Sequence, residues 1–217
     1  PNLDEETSYT GELRMTYENH RVRADVAGFV THYEDFIFAQ LTGVTVNEDG
    51  DPVPTDDPGA LDLLFYRPRN ARFAGVEASS EIDLLDALSG MFGIDGQFDY
   101  VRARFTSGID RNIPRIPPIR WGASLFYRGD RVRGRVGFLR TEAQHHSSHF
   151  ETNSSAFTFL NAQIAVRLTP FGDTVPVELS LIGTNLTNAK ARNHVSFMQN
   201  ELLLPGVNVR GAIRVEF

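Results

Sequence analysis

Residues 206–217 read GVNVRGAIRVEF, and their alternation decides what kind of structure this chain builds. Val207, Val209, Ile213, Val215 and Phe217 fall on one side of an extended segment. Asn208, Arg210, Arg214 and Glu216 fall on the other, with only the small Ala212 among them. A period of two marks a strand with one apolar and one polar face. Such a strand also serves as an ordinary amphipathic edge strand, so the rest of the chain has to choose.

The same alternation recurs upstream. Leu13, Met15 and Tyr17 alternate with Glu12, Arg14 and Thr16, and Val22, Ala24, Val26 and Val30 alternate with Arg21, Arg23 and Asp25. The pattern predicts strands over 9–17, 22–36, 63–84, 91–100, 119–128, 131–138, 160–168, 175–181 and 207–217, about nine in all. Most are near or above the roughly 9–11 residues a tilted strand needs to cross a bilayer. Short connections are predicted near Asn19, at 86–90, at the hairpin pair Gly129-Asp130 and at Pro170–Asp173. Long ones are predicted at 40–61, 107–118, 142–155 and 188–205. Tight turns at one end and long loops at the other are the pattern of an outer-membrane barrel. A soluble sandwich has no reason to sort loop length by end. The expected class is therefore all-β, an antiparallel transmembrane β-barrel, with a soluble β-sandwich binding module or adhesin as the alternative from another class. Arg, Glu and Asp would line the lumen, and Tyr17, Tyr100, Trp121 and Tyr127 would sit in outward aromatic girdles.

Composition narrows the function classes. The chain has 217 residues, 41% hydrophobic, with a formal charge of -7, which argues against nucleic acid as the partner. No run of about 18 apolar residues exists, so no transmembrane helix is predicted. With no Cys there is no disulfide, thiolate metal site or Cys nucleophile. Residues 1–10 lack the basic and apolar regions of a signal peptide. Nine strands without a plug do not close a barrel here, so the chain is expected to be the C-terminal part of a larger one.

Three motifs carry a family resemblance. PNLDEETSYTGELRMTYEN at 1–19 resembles the NPNLKPE region and following strand of TonB-dependent receptors. HYEDFI at 32–37 with RNARFAGVEASSEIDL at 69–84 resembles their Y-x-D-F-I and N…G-x-E pair, although Asn70 to Gly75 is one residue shorter than the family spacing. Asn185-Leu186-Thr187-Asn188 followed by a closing strand and Phe217 resembles their C-terminal signature. IPRIPPIRWG at 113–122 and ARNHVSFMQNELLLPGVNVR at 191–210 look most like the zinc-type receptors. The resemblance implies a bacterial outer-membrane barrel, normally of 22 strands, with a plug and TonB-driven uptake. The plug and its TonB-contacting box are absent from residues 1–217.

Strand counting places the histidines. His145, His146, His149 and His194 fall in outer loops, His32 falls at the outer end of its strand, and His20 falls at a periplasmic turn. Glu142, His145, His146, His149 and Glu151 gather imidazoles and carboxylates in ten positions. His and carboxylate are the zinc donors open to a chain without Cys. Candidate metal-binding residues are therefore His145, His146, His149, Glu142, Glu151, His194 and His32; a polar solvated loop is the competing reading. Glu48, Asp49, Asp51, Asp56 and Asp57 could concentrate cations, but the Glu that closes an EF-hand loop is missing. Asn153-Ser154-Ser155 and Asn185-Leu186-Thr187 match the glycosylation pattern without a reason for its use in a bacterial receptor. No catalytic set emerges: Ser147 and Ser148 beside His residues are not a triad. The expectation is a non-enzymatic importer of zinc, carrying no prosthetic group, with outer-membrane lipid and TonB as partners. Uptake of haem or an iron-siderophore is the alternative.

Overall fold

The computed structural model describes residues 3, 5–170 and 175–215. Nine strands run β1 (Thr7–Glu18), β2 (Val22–Val46), β3 (Leu61–Ala87), β4 (Gly90–Phe105), β5 (Arg120–Gly129), β6 (Val132–Thr141), β7 (Phe157–Leu168), β8 (Val177–Thr184) and β9 (Asn208–Val215). They form one sheet in sequence order, β1 to β9, every neighbouring pair antiparallel. Among the described residues there is no second sheet to cover it, so the sandwich alternative has no partner layer. Among the described residues no helix is long and apolar enough to cross a membrane. The sheet is an open wall of a barrel rather than a closed one.

The register gives each face a predominant character, with Arg72, Arg102, Arg104 and Arg140 as charged exceptions on the apolar face rather than in the lumen. Leu13, Gly28, Val76 and Tyr100 stand in one cross-strand row, and Phe98, Trp121 and Arg140 in another. The outward face remains open: Leu13 is 71% and Ile213 72% exposed, as side chains meant for lipid are. Tyr17 and Tyr127 lie near the short-turn end of this face and Tyr100 and Trp121 near the other, as two aromatic bands would. The opposite face carries ion pairs across strands. Arg23 and Arg128 both hold Glu81 and Asp83, with Arg128 at 2.6 and 2.5 Å from the two carboxylates. Arg14 reaches Asp25 at 2.9 Å, Arg120 reaches Asp99 at 2.5 Å, and Arg133 pairs with Glu178.

Two sequence expectations need correction. The loop predicted from residue 40 starts later, because β2 continues to Val46 against Leu61. Gly43, with φ +76°, and a register shift between Leu41 and Thr45 let the strand bend and go on. The turn predicted at Gly129-Asp130 is also displaced: Gly129 still pairs with Gly90 in the ladder, and Asp130-Arg131 make the connection. The hairpin between β3 and β4 uses Leu88 and Ser89, with φ of 54° and 58°, where the matching two-residue turn demands left-handed backbone. The predicted turn at Pro170–Asp173 and the final Phe217 fall largely or wholly outside the described residues.

The family-like motifs explain themselves in packing terms. The ladder between β2 and β3 slips between Tyr33 and Phe36, and Asp35 takes a left-handed φ of 53° there. Asn70 stabilises that bulge, its Oδ1 accepting the Asp35 amide at 3.0 Å. Gly75 is required because the Phe29 ring lies over it. An added Cβ would stand 2.5 Å from that ring and 2.7 Å from the Tyr100 carbonyl.

Candidate functional site

The long connections, 47–60, 106–119, 142–156 and 185–207, all leave the same end of the sheet. The second folds back onto the polar face. Ile113 and Ile116 bury against Ala71, Ala103 and Phe105, with Tyr33, Phe36 and Phe73 beside them. Those three rings meet edge-on with centroids 5.2 Å apart. The third loop is pinned to the second: buried Gln144 donates to the Ile116 carbonyl at 3.0 Å and bridges Ser154 across its own loop.

Glu151 is the knot of this cap. Its carboxylate accepts the Arg115 amide at 2.7 Å and the Ser148 amide at 2.9 Å. Its Oε1 also lies 3.7 Å from Nε2 of His194, which arrives from the fourth loop. The side chains of His194 and Glu151 are only 2% and 7% exposed. His194 Nδ1 is buried with no hydrogen-bond partner among the described residues. Burial pushes the His194 imidazole below its ordinary pKa, with the Glu151 charge pulling the other way. The neutral imidazole, which burial favours, is the form that ligates a metal.

Beside this pair lies a cavity of about 380 Å³ lined by Leu41, Leu61, Leu64, Arg115, Phe150 and Phe197, among others. The Arg115 guanidinium sits 3.9 Å over the Phe197 ring and donates to the Ala39 carbonyl at 3.3 Å. Burial lowers its pKa, and the nearby Glu151 charge opposes that.

The fourth loop is clasped at its base. Asn185 Oδ1 accepts the Ala189 amide at 2.8 Å, and its Nδ2 donates to the Ala189 and Pro205 carbonyls, each at 3.0 Å. Asn188 Oδ1 accepts the Val207 amide at 3.2 Å. Gln199 reaches the third loop, donating to the Thr152 carbonyl at 3.1 Å. This clasp is what the Asn-Leu-Thr-Asn motif encodes.

The remaining candidates go elsewhere. Glu142 accepts Trp121 Nε1–H at 2.9 Å and pairs with Arg140 at 3.3 Å, which lowers its pKa. His145 and His146 are exposed. The His146 pKa is lowered by the Arg102 charge first, then by burial and by Arg104. The His149 amide donates to Asp110 at 2.9 Å and its ring packs on Phe150. His32 pairs in register with Tyr9 and Arg72 on the outward face. Among the described residues, no three His, Asp or Glu side chains converge as a metal-ligating group. The fold thus joins Glu151 to His194 and leaves the other five apart. Arg115 and Gln199 escaped sequence reading because nothing in their spacing marks them.

The family profile described as TonB dependent receptor-like, beta-barrel matches residues 1–188. The chain belongs to this family. Among solved structures, the copper transporter OprC superposes with a TM-score of 0.78 at 16% identity, covering 98% of this chain and 31% of that one. The FrpB iron transporter from Neisseria meningitidis gives 0.64 at 15% identity over 99% of this chain and 32% of its own. The siderophore receptor PirA from Acinetobacter baumannii gives 0.60 at 16% identity over 96% and 31%. At such identities the likeness establishes the fold. The chain spans about a third of the length of each of these proteins.

Proposed function

We propose that this chain is the C-terminal wall and part of the outer vestibule of a TonB-dependent receptor in a bacterial outer membrane. It works with an N-terminal plug that couples to TonB, and its cargo is a metal ion, zinc first. The observation that carries the cargo reading is the buried Glu151–His194 pair, Oε1 to Nε2 3.7 Å. Two donors of one tetrahedral zinc, at about 2.0–2.2 Å each, lie roughly 3.4 Å apart, so small side-chain movements bring both onto one ion. The exposed His145, His146 and His149 supply imidazoles for capture at the rim. Glu48, Asp49, Asp51, Asp56 and Asp57 add a cation-attracting field at the same end of the sheet.

A second reading has its own observation. The cavity under the cap offers Arg115 stacked on Phe197 beside apolar walls, which suits an anionic aromatic chelate such as an iron-siderophore. The test is calorimetry on the whole receptor in detergent, titrated with zinc and separately with a ferric catecholate chelate. Parent, a His145/His146/His149 triple Ala variant and His194→Ala are compared. Zinc reading: the parent binds zinc, and each variant loses about tenfold or more. No zinc binding by the parent sinks it, and tight chelate binding lost in Arg115→Ala puts the second reading in its place.

A further inference from the structure

The outward face carries an unexplained row of cations. Register places Tyr9, His32, Arg72 and Arg104 side by side on β1, β2, β3 and β4. One step toward the membrane centre, Arg102 stands beside Ala74 and Val30. These positions share the parity of Val26, Val30, Val76 and Phe98, so their side chains project from the lipid-facing side. Like charges directly opposite on neighbouring strands repel. Yet among the described residues neither the Arg72 nor the Arg104 side chain makes a hydrogen bond or ion pair, and both are exposed. Arg102 donates to the neutral Asn112 amide oxygen at 2.9 Å and lies within electrostatic reach of Arg104 and His146, with no carboxylate partner among the described residues. Glu34, in register with Thr7 just above, makes no ion pair with them.

Height explains the row. Arg72 lies ten residues along β3 from Ile82, whose row with Val22 and Ile94 begins the apolar band. Ten residues are about 33 Å of strand, or roughly 25 Å of height at a 40° tilt, the thickness of a barrel's lipid-facing belt. Tyr100 and Trp121 form the aromatic edge just below. The arginines therefore project at the level where lipid headgroups lie, on a surface continuous with acyl-chain contacts. Guanidinium forks match phosphate oxygens in pairs.

We propose that Arg72, Arg102 and Arg104, with His32 beside them, bind the phosphate of an outer-leaflet lipid headgroup on the outside of the barrel. The anion relieves the repulsion of the facing arginines, while Tyr9, Tyr100 and Trp121 seat the upper acyl region. The site borders the third loop, where Arg102 and Arg104 act on His146; it rests on the membrane-barrel reading and not on the identity of the cargo.

The test uses the whole receptor in detergent, with diphosphorylated lipid A in mixed micelles as the probe. The parent is compared with Arg72→Gln/Arg104→Gln, with the same pair changed to Lys, and with Arg131→Gln at the opposite end of the sheet. The Gln pair is expected to weaken lipid binding by about tenfold or more, the Lys pair to keep most of it, and Arg131→Gln to leave it unchanged. Dephosphorylated lipid A should bind the parent as weakly as the Gln pair binds the phosphorylated form. Equal binding of both lipids, or of parent and Gln pair, overturns the site. Full displacement of the lipid by millimolar inorganic phosphate overturns the headgroup assignment in favour of a free-anion site. Heat-modifiable gel migration is run on every sample. If it is retained while lipid selectivity is absent, only the lipid site falls; if the parent lacks it, the barrel reading falls.

Discussion

The two ends of the sheet solve the backbone hydrogen-bonding problem differently. At the short-turn end the ladder runs almost to the hairpin, Ala87 against Gly90 and Arg128 against Arg133. Main-chain groups satisfy each other there, and side chains are left to pair among themselves, as Arg23, Glu81, Asp83 and Arg128 do. At the long-loop end the ladder stops and loops of 14 to 23 residues (47–60 to 185–207) must turn back without it. Buried backbone groups still need partners, so Asn185, Asn188, Gln144, Gln199 and Glu151 spend their polar atoms on main chain. The difference teaches which polar residues are free for chemistry. Those bound to backbone build the cap, Glu151 among them while still facing His194, and the imidazoles of His145, His146 and His149 stay exposed.

The sharpest way to break this contrast is Asn185→Ala. It removes partners from the Ala189 amide and from the Ala189 and Pro205 carbonyls, at a cost of about 3 kcal/mol. Hydrogen exchange at Ala189 should accelerate roughly a hundredfold, with the strands unaffected. Unchanged exchange means that the loop is held by packing instead. Between the two ends, Gly75→Ala drives a Cβ into Phe29 and the Tyr100 carbonyl. It should lower unfolding stability in urea by about 1–3 kcal/mol, whereas Gly11→Ala, with nothing within 4 Å, should stay within about 0.5 kcal/mol.

A pH titration separates the ends without mutation. Because the folded cap holds His194 below its ordinary pKa, the opened cap takes up the proton first as pH falls. Cap stability is therefore complete above the ordinary imidazole range. It declines through that range as pH drops, by up to about 1.4 kcal/mol per pH unit, and levels off below the folded pKa. With chelator present, limited proteolysis within 185–207 should rise between pH 7.5 and 5.5, and His194→Gln should flatten the profile. A pH-independent profile in the parent would show that His194 is solvated in solution. The smallest effect is expected at the short-turn end. Arg133→Gln breaks a pair whose arginine is 57% exposed, and urea unfolding should shift by under about 1 kcal/mol.

Much of this was legible in the chain alone. Alternation placed all nine strands, their faces and the sorting of loops by end, because a strand's period of two is a local property written residue by residue. Where a residue outside the pattern carried the geometry, the boundaries moved. Gly43 prolonged β2, and the cross-strand pairing of Gly129 shifted a turn. The candidate site was legible only as residue types. Sequence gathered Glu142 with Glu151 and the three loop histidines because they are near in number, but Glu142 is drawn away by Trp121 and Arg140. Glu151 instead meets His194, forty-three positions on. That pairing, the stacking of Arg115 on Phe197 and the alignment of Arg72 with Arg104 depend on register and loop packing between distant segments. Alternation tells a residue which face it occupies. Only the folded sheet decides which other residue stands opposite it.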